Sequence, residues 1–178
     1  MHHVLTTDDL PLAELSAMRL DGELVAVDRC FAPFDEFPSP RQRASALVGS
    51  VHDRLIAERR TAAWIWGALD PPPAIHEFCT AWDARVTRRP APHLRIREVV
   101  LGDDDVQNVA GLPVTTPRRT VADLARFTES WTPAQRSMVE RLLAIGKLRA
   151  DDVVRDLDRH KLPHKKRAVE RLRGLSPS

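Results

Sequence analysis

The chain has 178 residues, of which 43% are hydrophobic and 29% charged; this is enough for one domain or two small ones, and it excludes a compositionally disordered chain. The formal charge is only +2, which permits contact with nucleic acid without demanding it. No apolar run approaches the roughly 18–20 residues of a membrane span, and Met1-His2-His3 lacks the basic start and apolar core of a leader. A cytoplasmic protein without a membrane partner is expected, with Cys30 and Cys79 reduced and buried as small hydrophobes.

Residues 1–10 read as an extended lead. Pro11 suits the first helical position, and Leu12, Leu15, Met18 and Leu20 give that helix an apolar face before Asp21-Gly22 ends it. Residues 24–27 and 30–32 read as short strands joined at Asp28-Arg29. Helix, turn and strand pair have the layout of the back half of a winged helix. After a loop rich in Pro and acid, Ser39 caps a helix that Pro40 opens, running to about Val51 with Ala44, Leu47 and Val48 inward. Residues 55–57 lead into a helix near 60–66, and three prolines at 71–73 form a firm break.

Residues 75–80 read as a strand. Residues 94–100 are a cleaner one, in which Leu94, Ile96 and Glu98 alternate with Arg95, Arg97 and Val99. Gly102 and the three aspartates after it form a turn, 106–109 a short helix or strand, and Val114-Thr115 a strand. Helices follow over 117–127, 133–145, 151–159 and 165–172. Thr116-Pro117 and Thr132-Pro133 each place a capping hydroxyl before a proline at N1, and Gly146 ends the second of these helices. The outline is α+β: a lobe over 1–38, then 39–178 with a strand-containing middle and a helical final third. Trp64 and Trp66, two apart, cannot share a helix face, so one belongs in the core and the other between lobes or at an interface. Trp82 and Trp131 are assigned to the core by default.

The chain carries no Gly-x-Ser-x-Gly, Walker loop, Gly-x-Gly-x-x-Gly or His-Glu-x-x-His, and it has no tyrosine. Pro163 interrupts the spacing of His160 and His164, and His76 with Cys79 lacks two further zinc ligands. No catalytic residue, metal or cofactor is expected. The acidic run 103–105 is expected to be a solvated loop, the alternative being a metal-holding cluster.

Binding chemistry is better supplied. Arg85, Arg88, Arg89, Arg95 and Arg97 flank and decorate one strand, and Lys161, Lys165, Lys166 and Arg167, with Arg171 and Arg173, form a basic C-terminal cluster. Arg118 and Arg119 lie in the first turn of their helix, the positive end of the macrodipole, which calls for carboxylate partners or a function. Asp123 stands at i+4 from Arg119 and is expected to pair with it, Arg60 and Glu98 being candidates for the same network. The N-terminal helix and wing offer Arg19 and Arg29, set beside Glu14, Asp21 and Asp28. A solvated face is the competing reading for each basic group.

Residues 111–125, read Gly-Leu-Pro-Val-Thr-Thr-Pro-Arg-Arg-Thr-Val-Ala-Asp-Leu-Ala, resemble the Gly-Leu-x-Val-Thr-x-Pro-x-Arg-Thr-x-x-Asp-Leu-Ala signature of actinobacterial AbiEi-type proteins, antitoxin-like members of type IV toxin–antitoxin systems. Residues 56–67 are similar to the family's Ser/Thr-Ala-Ala-x-x-x-Gly helix, and 20–27 with 30–33 to its wing. The resemblance covers roughly residues 10–173 and makes Thr116, Pro117, Thr120 and Asp123 structural signature positions. It implies a non-enzymatic antitoxin and transcriptional regulator, a second domain that counters a nucleotidyltransferase-like toxin, and contact with own-promoter DNA. Longer relatives carry a C-terminal nuclease-like domain, and this chain ends where that domain would begin. Two alternatives stand beside this: a nuclease-related enzyme using the 103–105 aspartates, and a structural adaptor that has lost DNA binding. Sequence leaves the oligomeric state open.

Overall fold

The computed structural model describes residues 4–34, 38–82, 91–159 and 161–175. Helix α1 (Leu12–Leu20) is followed by the antiparallel hairpin β1 (Leu24–Val27) and β2 (Cys30–Pro33), on which Leu5 makes one further bridge to Phe31. The turn reverses through Asp28, whose φ of 56° lies in the left-handed region that Asp tolerates better than most residues. The periodicity of α1 promised four inward apolar residues. Only Leu15 is fully buried, and Leu12 and Leu20 stand in solvent, because among the described residues α1 packs chiefly on β1 and its other sides are left open.

Helix α2 (Pro40–Val48) starts as its sequence predicts. Ser39 Oγ accepts from the Gln42 N–H, and Gln42 Oε1 accepts from the Ser39 N–H in return. It stops three residues short of Val51. Ala44 and Leu47 face inward, whereas Val48 is substantially exposed, a correction to its inward assignment.

The main sheet has the order β5-β4-β3-β7-β6, formed by β3 (Ile56–Ala57), β4 (His76–Ala81), β5 (Leu94–Val99), β6 (Val106–Val109) and β7 (Leu112–Thr115). The β4–β5 and β3–β7 pairs are parallel, and β3–β4 and β6–β7 antiparallel. The fourth strand begins at His76 rather than at Ile75, which is exposed. Helix α3 (Arg59–Ile65) joins β3 to the loop before β4. After β7 the chain is helical: α4 (Pro117–Phe127), α5 (Pro133–Ile145), α6 (Ala150–Asp158) and α7 (Lys165–Arg173). The fold is α+β.

Two apolar clusters form the core. One joins Val27, Cys30 and Ala32 of the hairpin and Ala44 and Leu47 of α2 to Trp64 of α3 and Phe78 and Val114 of the sheet. The other is helical, built on Val121, Leu124, Val139, Leu142, Val153, Leu157 and Leu172. Trp64 is buried in the first. Trp66 packs against both clusters, and its indole N–H donates to the Thr115 carbonyl at 2.9 Å, so α3 is pinned to the strand that feeds α4. Trp131 is half-buried under the Arg171 guanidinium, whereas Trp82 is largely exposed and not a core residue.

Candidate ion-pair centre and adjoining cleft

The local chemistry of residues 115–120 sets the direction of α4. Thr116 Oγ1 accepts from the Arg119 N–H, and Pro117 occupies N1. Thr120 is fully buried; its hydroxyl bonds the Thr115 side chain at 2.8 Å and the Thr116 carbonyl at 2.8 Å, tying the strand end to the first turn. With that turn fixed, Arg119 and Asp123 lie on the inner face of α4.

Asp123, 1% exposed, is the centre of the arrangement. Its Oδ2 accepts from Arg119 Nε at 3.0 Å and from Arg97 Nη2 at 2.9 Å, and its Oδ1 from Arg126 Nη1 at 3.2 Å. Arg97 reaches from β5 and grips Glu58 at the other end, Nε to Oε1 at 2.6 Å and Nη2 to Oε2 at 2.5 Å. That carboxylate is itself 1% exposed. Arg119 also donates to Asp105 Oδ2 at 2.6 Å and to the Val100 carbonyl at 3.1 Å. Arg59 pairs with Glu58 at 3.2 Å and Glu77 at 3.3 Å. Four guanidiniums thus meet four carboxylates: Arg59, Arg97, Arg119 and Arg126 against Glu58, Glu77, Asp105 and Asp123.

Burial alone would press Arg97 and Arg119 toward neutrality. Glu58 and Asp123 outweigh it at Arg97, and Asp123 and Asp105 at Arg119, so both are held above the ordinary guanidinium value. Arg126 falls below that value: its burial and the repulsion of Arg119 and Arg97 exceed what Asp123 returns. The Phe127 ring lies under three of these cations, with Arg126 at 4.6 Å, Arg97 at 4.7 Å and Arg59 at 6.0 Å from its centroid.

The other basic residues divide clearly. Arg118 pairs with Asp156 on α6. Lys165 lies 3.7 Å from Asp158, and Arg167 donates to the Arg126 carbonyl. Arg171, a member of the basic C-terminal cluster, donates to the carbonyls of Ala125, Thr128 and Glu129 and so closes the C-terminal end of α4. Arg19, Arg29, Arg95 and Lys166 are exposed. Arg85, Arg88 and Arg89 lie outside the described residues. Arg60 joins the network through its backbone N–H, which donates to Glu77 Oε2 at 3.1 Å. Glu58 and Glu77 were missed in the sequence because β-pairing, rather than spacing along the chain, brings them in.

The aspartates of the 3₁₀ turn Asp103–Asp105 do not act as one group, because the Asp105 carboxylate turns back to the Gly102 N–H and Arg119. Among the described residues no group of three or more His, Cys, Asp or Glu side chains is arranged to hold a metal. His76 is buried, with Nδ1 3.3 Å from Thr61 Oγ1 and Nε2 3.3 Å from Asp28 Oδ1, which fastens the hairpin tip to β4. Burial pushes the Cys79 thiol far up, and Cys30 likewise, so both are poor nucleophiles.

Beside the network opens a cleft of about 420 Å³ between the α3 start, the β4–β5 pair and the α4–α5 turn. Its lining includes Arg59, Arg60 and Arg95, the carboxylates Glu77 and Glu129, and the apolar Leu124, Phe127 and Met138.

Residues 55–175, more than half of the chain, match the family model of the AbiEi antitoxin C-terminal domain. The chain belongs to the AbiEi antitoxin family. The AbiEi match takes in β3 through α7, and therefore every member of the ion-pair network. Membership supports an antitoxin role. No curated protein matches the chain. Among solved structures, the RV2827C protein from Mycobacterium tuberculosis is similar over 97% of this AbiEi chain and 75% of its own, at 18% identity and a TM-score of 0.48. Among the described residues no helix is long and apolar enough to cross a membrane.

Proposed function

We propose that this AbiEi antitoxin acts by binding, without catalysis, and that its partner is a protein, a nucleotidyltransferase-like toxin, docked on the N-terminal lobe (residues 1–38). One observation carries this reading. Leu12, Leu20 and Phe34 of the lobe are 60, 85 and 66% exposed, and the same lobe exposes Asp8, Asp9, Glu14, Asp21 and Glu23. Large apolar side chains left in water gain free energy by meeting another protein. The acids suit a partner with Lys and Arg around its own apolar patch, and they oppose a phosphate backbone. The arginines near the signature helix support the same reading from the other side. Arg97 and Arg119 are held inside the fold and Arg118 is paired across α6, which removes them from an arginine-rich docking face.

A second reading, transcriptional regulation at the protein's own promoter, is favoured by Arg29, exposed at the hairpin tip, and Arg19, exposed in the last turn of α1, the wing and helix positions that meet DNA in a winged helix. Mixing the purified protein with the purified toxin, followed by size-exclusion chromatography and calorimetry, separates the two. The expected result is a stable complex weakened at least tenfold by Leu20→Asp and Phe34→Ser, with an unchanged circular dichroism spectrum. A complex indifferent to those changes overturns the lobe as docking site. Promoter binding with a steep salt slope that Arg19→Glu and Arg29→Glu abolish shifts the function to DNA.

A further inference from the structure

We infer that the cleft bounded by Arg59, Arg60 and Arg95 is a binding site for a phosphomonoester carried on a small organic body. The interior network balances four guanidiniums against four carboxylates, so it presents little net charge to a ligand. Arg60 and Arg95 lie outside that balance. In the parallel β4–β5 register Arg95 stands opposite Glu77, the carboxylate that would be expected to neutralise it. Both oxygens of Glu77 are engaged elsewhere, Oε1 by Arg59 and Oε2 by the Arg60 N–H. The Arg95 and Arg60 side chains therefore remain without an ionic partner among the described residues, and both line the same cleft.

A guanidinium offers a planar fork of donors that fits carboxylate and phosphate oxygens. Glu77 and Glu129 line the cleft too, but Glu77 is taken up by Arg59, so Arg60 and Arg95 leave it with a net positive charge and two forks that a phosphomonoester, at about −1.5 to −2 near pH 7, can engage at once. The volume of about 420 Å³ lies in the lower part of the range for small-molecule pockets, roughly 300–1,000 Å³. Leu124 and Met138 in the lining give an organic body somewhere apolar to rest, while the Phe127 ring is taken up by the interior cations. The Glu129 carboxylate, also in the lining, can accept from a hydroxyl of the organic body and disfavours a more highly charged polyphosphate. The site lies in the AbiEi domain, away from the lobe, and does not depend on the toxin reading. The same phosphomonoester could arrive as a free nucleotide or as the phosphorylated 5′ end of a nucleic acid.

Isothermal titration of the full chain, with no toxin present, tests this. Adenosine 5′-monophosphate is the probe, with adenosine and inorganic phosphate as comparisons. The expected result is that AMP binds at least tenfold more tightly than either, and that Arg60→Gln with Arg95→Gln lowers its affinity at least tenfold. Both side chains are exposed, so the thermal midpoint of the double variant should stay near that of the wild type, and Met138→Gln provides a second variant that alters the apolar lining instead of the charge. Equal affinity for AMP and adenosine, or an unchanged affinity in the arginine double variant, overturns the proposal, and equal affinity for AMP and inorganic phosphate overturns its organic body. Repeating the titration with a short oligonucleotide bearing 5′-phosphate or 5′-hydroxyl identifies the source. Binding only of the phosphorylated oligonucleotide assigns the site to nucleic-acid ends, and binding only of AMP assigns it to free nucleotide.

Discussion

Replacing Asp123 by Asn keeps the volume and removes one charge from the middle of three guanidiniums. Arg97 would still hold Glu58, and Arg119 would still hold Asp105. Arg126 would keep the Pro163 carbonyl, 3.0 Å from its Nε, and the Phe127 ring, but lose the Asp123 carboxylate, while Arg97 and Arg119 continue to repel it. Removing one member of a buried ion pair costs about 3–5 kcal/mol, because the other is left charged and desolvated. The surviving partners of Arg97 and Arg119 place Asp123→Asn at the lower end, about 3 kcal/mol. In a chain of this size each kcal/mol moves Tm by roughly 2–4 °C, so a fall of about 6–12 °C is expected. Urea unfolding followed by tryptophan fluorescence measures the free energy directly. Asp156→Asn is the companion measurement: it faces Arg118 at a half-exposed site, where an ion pair contributes about 1 kcal/mol or less. Combining Asp123→Asn with Arg126→Met should cost less than the sum of the two, since the charge left unpaired is then gone. If Asp123→Asn loses no more than Asp156→Asn, the network does not organise the interior and the reasoning fails.

Two further outcomes follow from the same geometry. Arg171→Met should destabilise by about 1–3 kcal/mol in urea, because it frees three carbonyls at the end of α4 and takes the guanidinium off Trp131, 4.9 Å away. At the hairpin, burial alone would raise the Asp28 carboxyl, but the hydrogen bond and charge of His76 outweigh it and hold it below the ordinary value. A depressed carboxyl stabilises the fold above its unfolded value of about 3.9 and loses that contribution as pH falls through the lower, folded value. Asp28→Asn should therefore flatten the urea midpoint between pH 5 and pH 2 relative to wild type, and equal slopes would refute the assignment.

The helix starts were legible because capping is local chemistry. Ser39-Pro40, Thr116-Pro117 and Thr132-Pro133 each place a hydroxyl and a proline where the first turn needs them, and each opens a helix. The Arg119–Asp123 pair was legible for the same reason, lying one turn apart. Arg126 lies three residues from Asp123 on the same helix, a local spacing that could have been read, whereas Glu58, Arg97 and Asp105 come from other elements and reach the network only through the fold. Burial misled where a face had no second layer above it: Leu12, Leu20 and Val48 satisfy helical periodicity and remain in water. The division of the arginines into paired and free was invisible for a related reason. It depends on Glu77 being engaged twice over, which no spacing in the chain reveals.

The shared apolar cluster also constrains how this antitoxin can diversify. Val27, Cys30, Ala32, Ala44, Ala46 and Leu47, all upstream of the AbiEi match, pack directly with Ala57, Trp64, Phe78 and Val114 within it. Arg43 adds a bond to the Trp64 carbonyl at 2.6 Å. A recombination event that exchanged the upstream part for that of a distant relative would strip the inner face of the sheet and leave Trp64 without its cover. Under the proposed docking on the lobe, new partner preferences would arise by drift of exposed positions such as Leu12, Leu20 and Phe34, with the buried residues of the cluster inherited as one block.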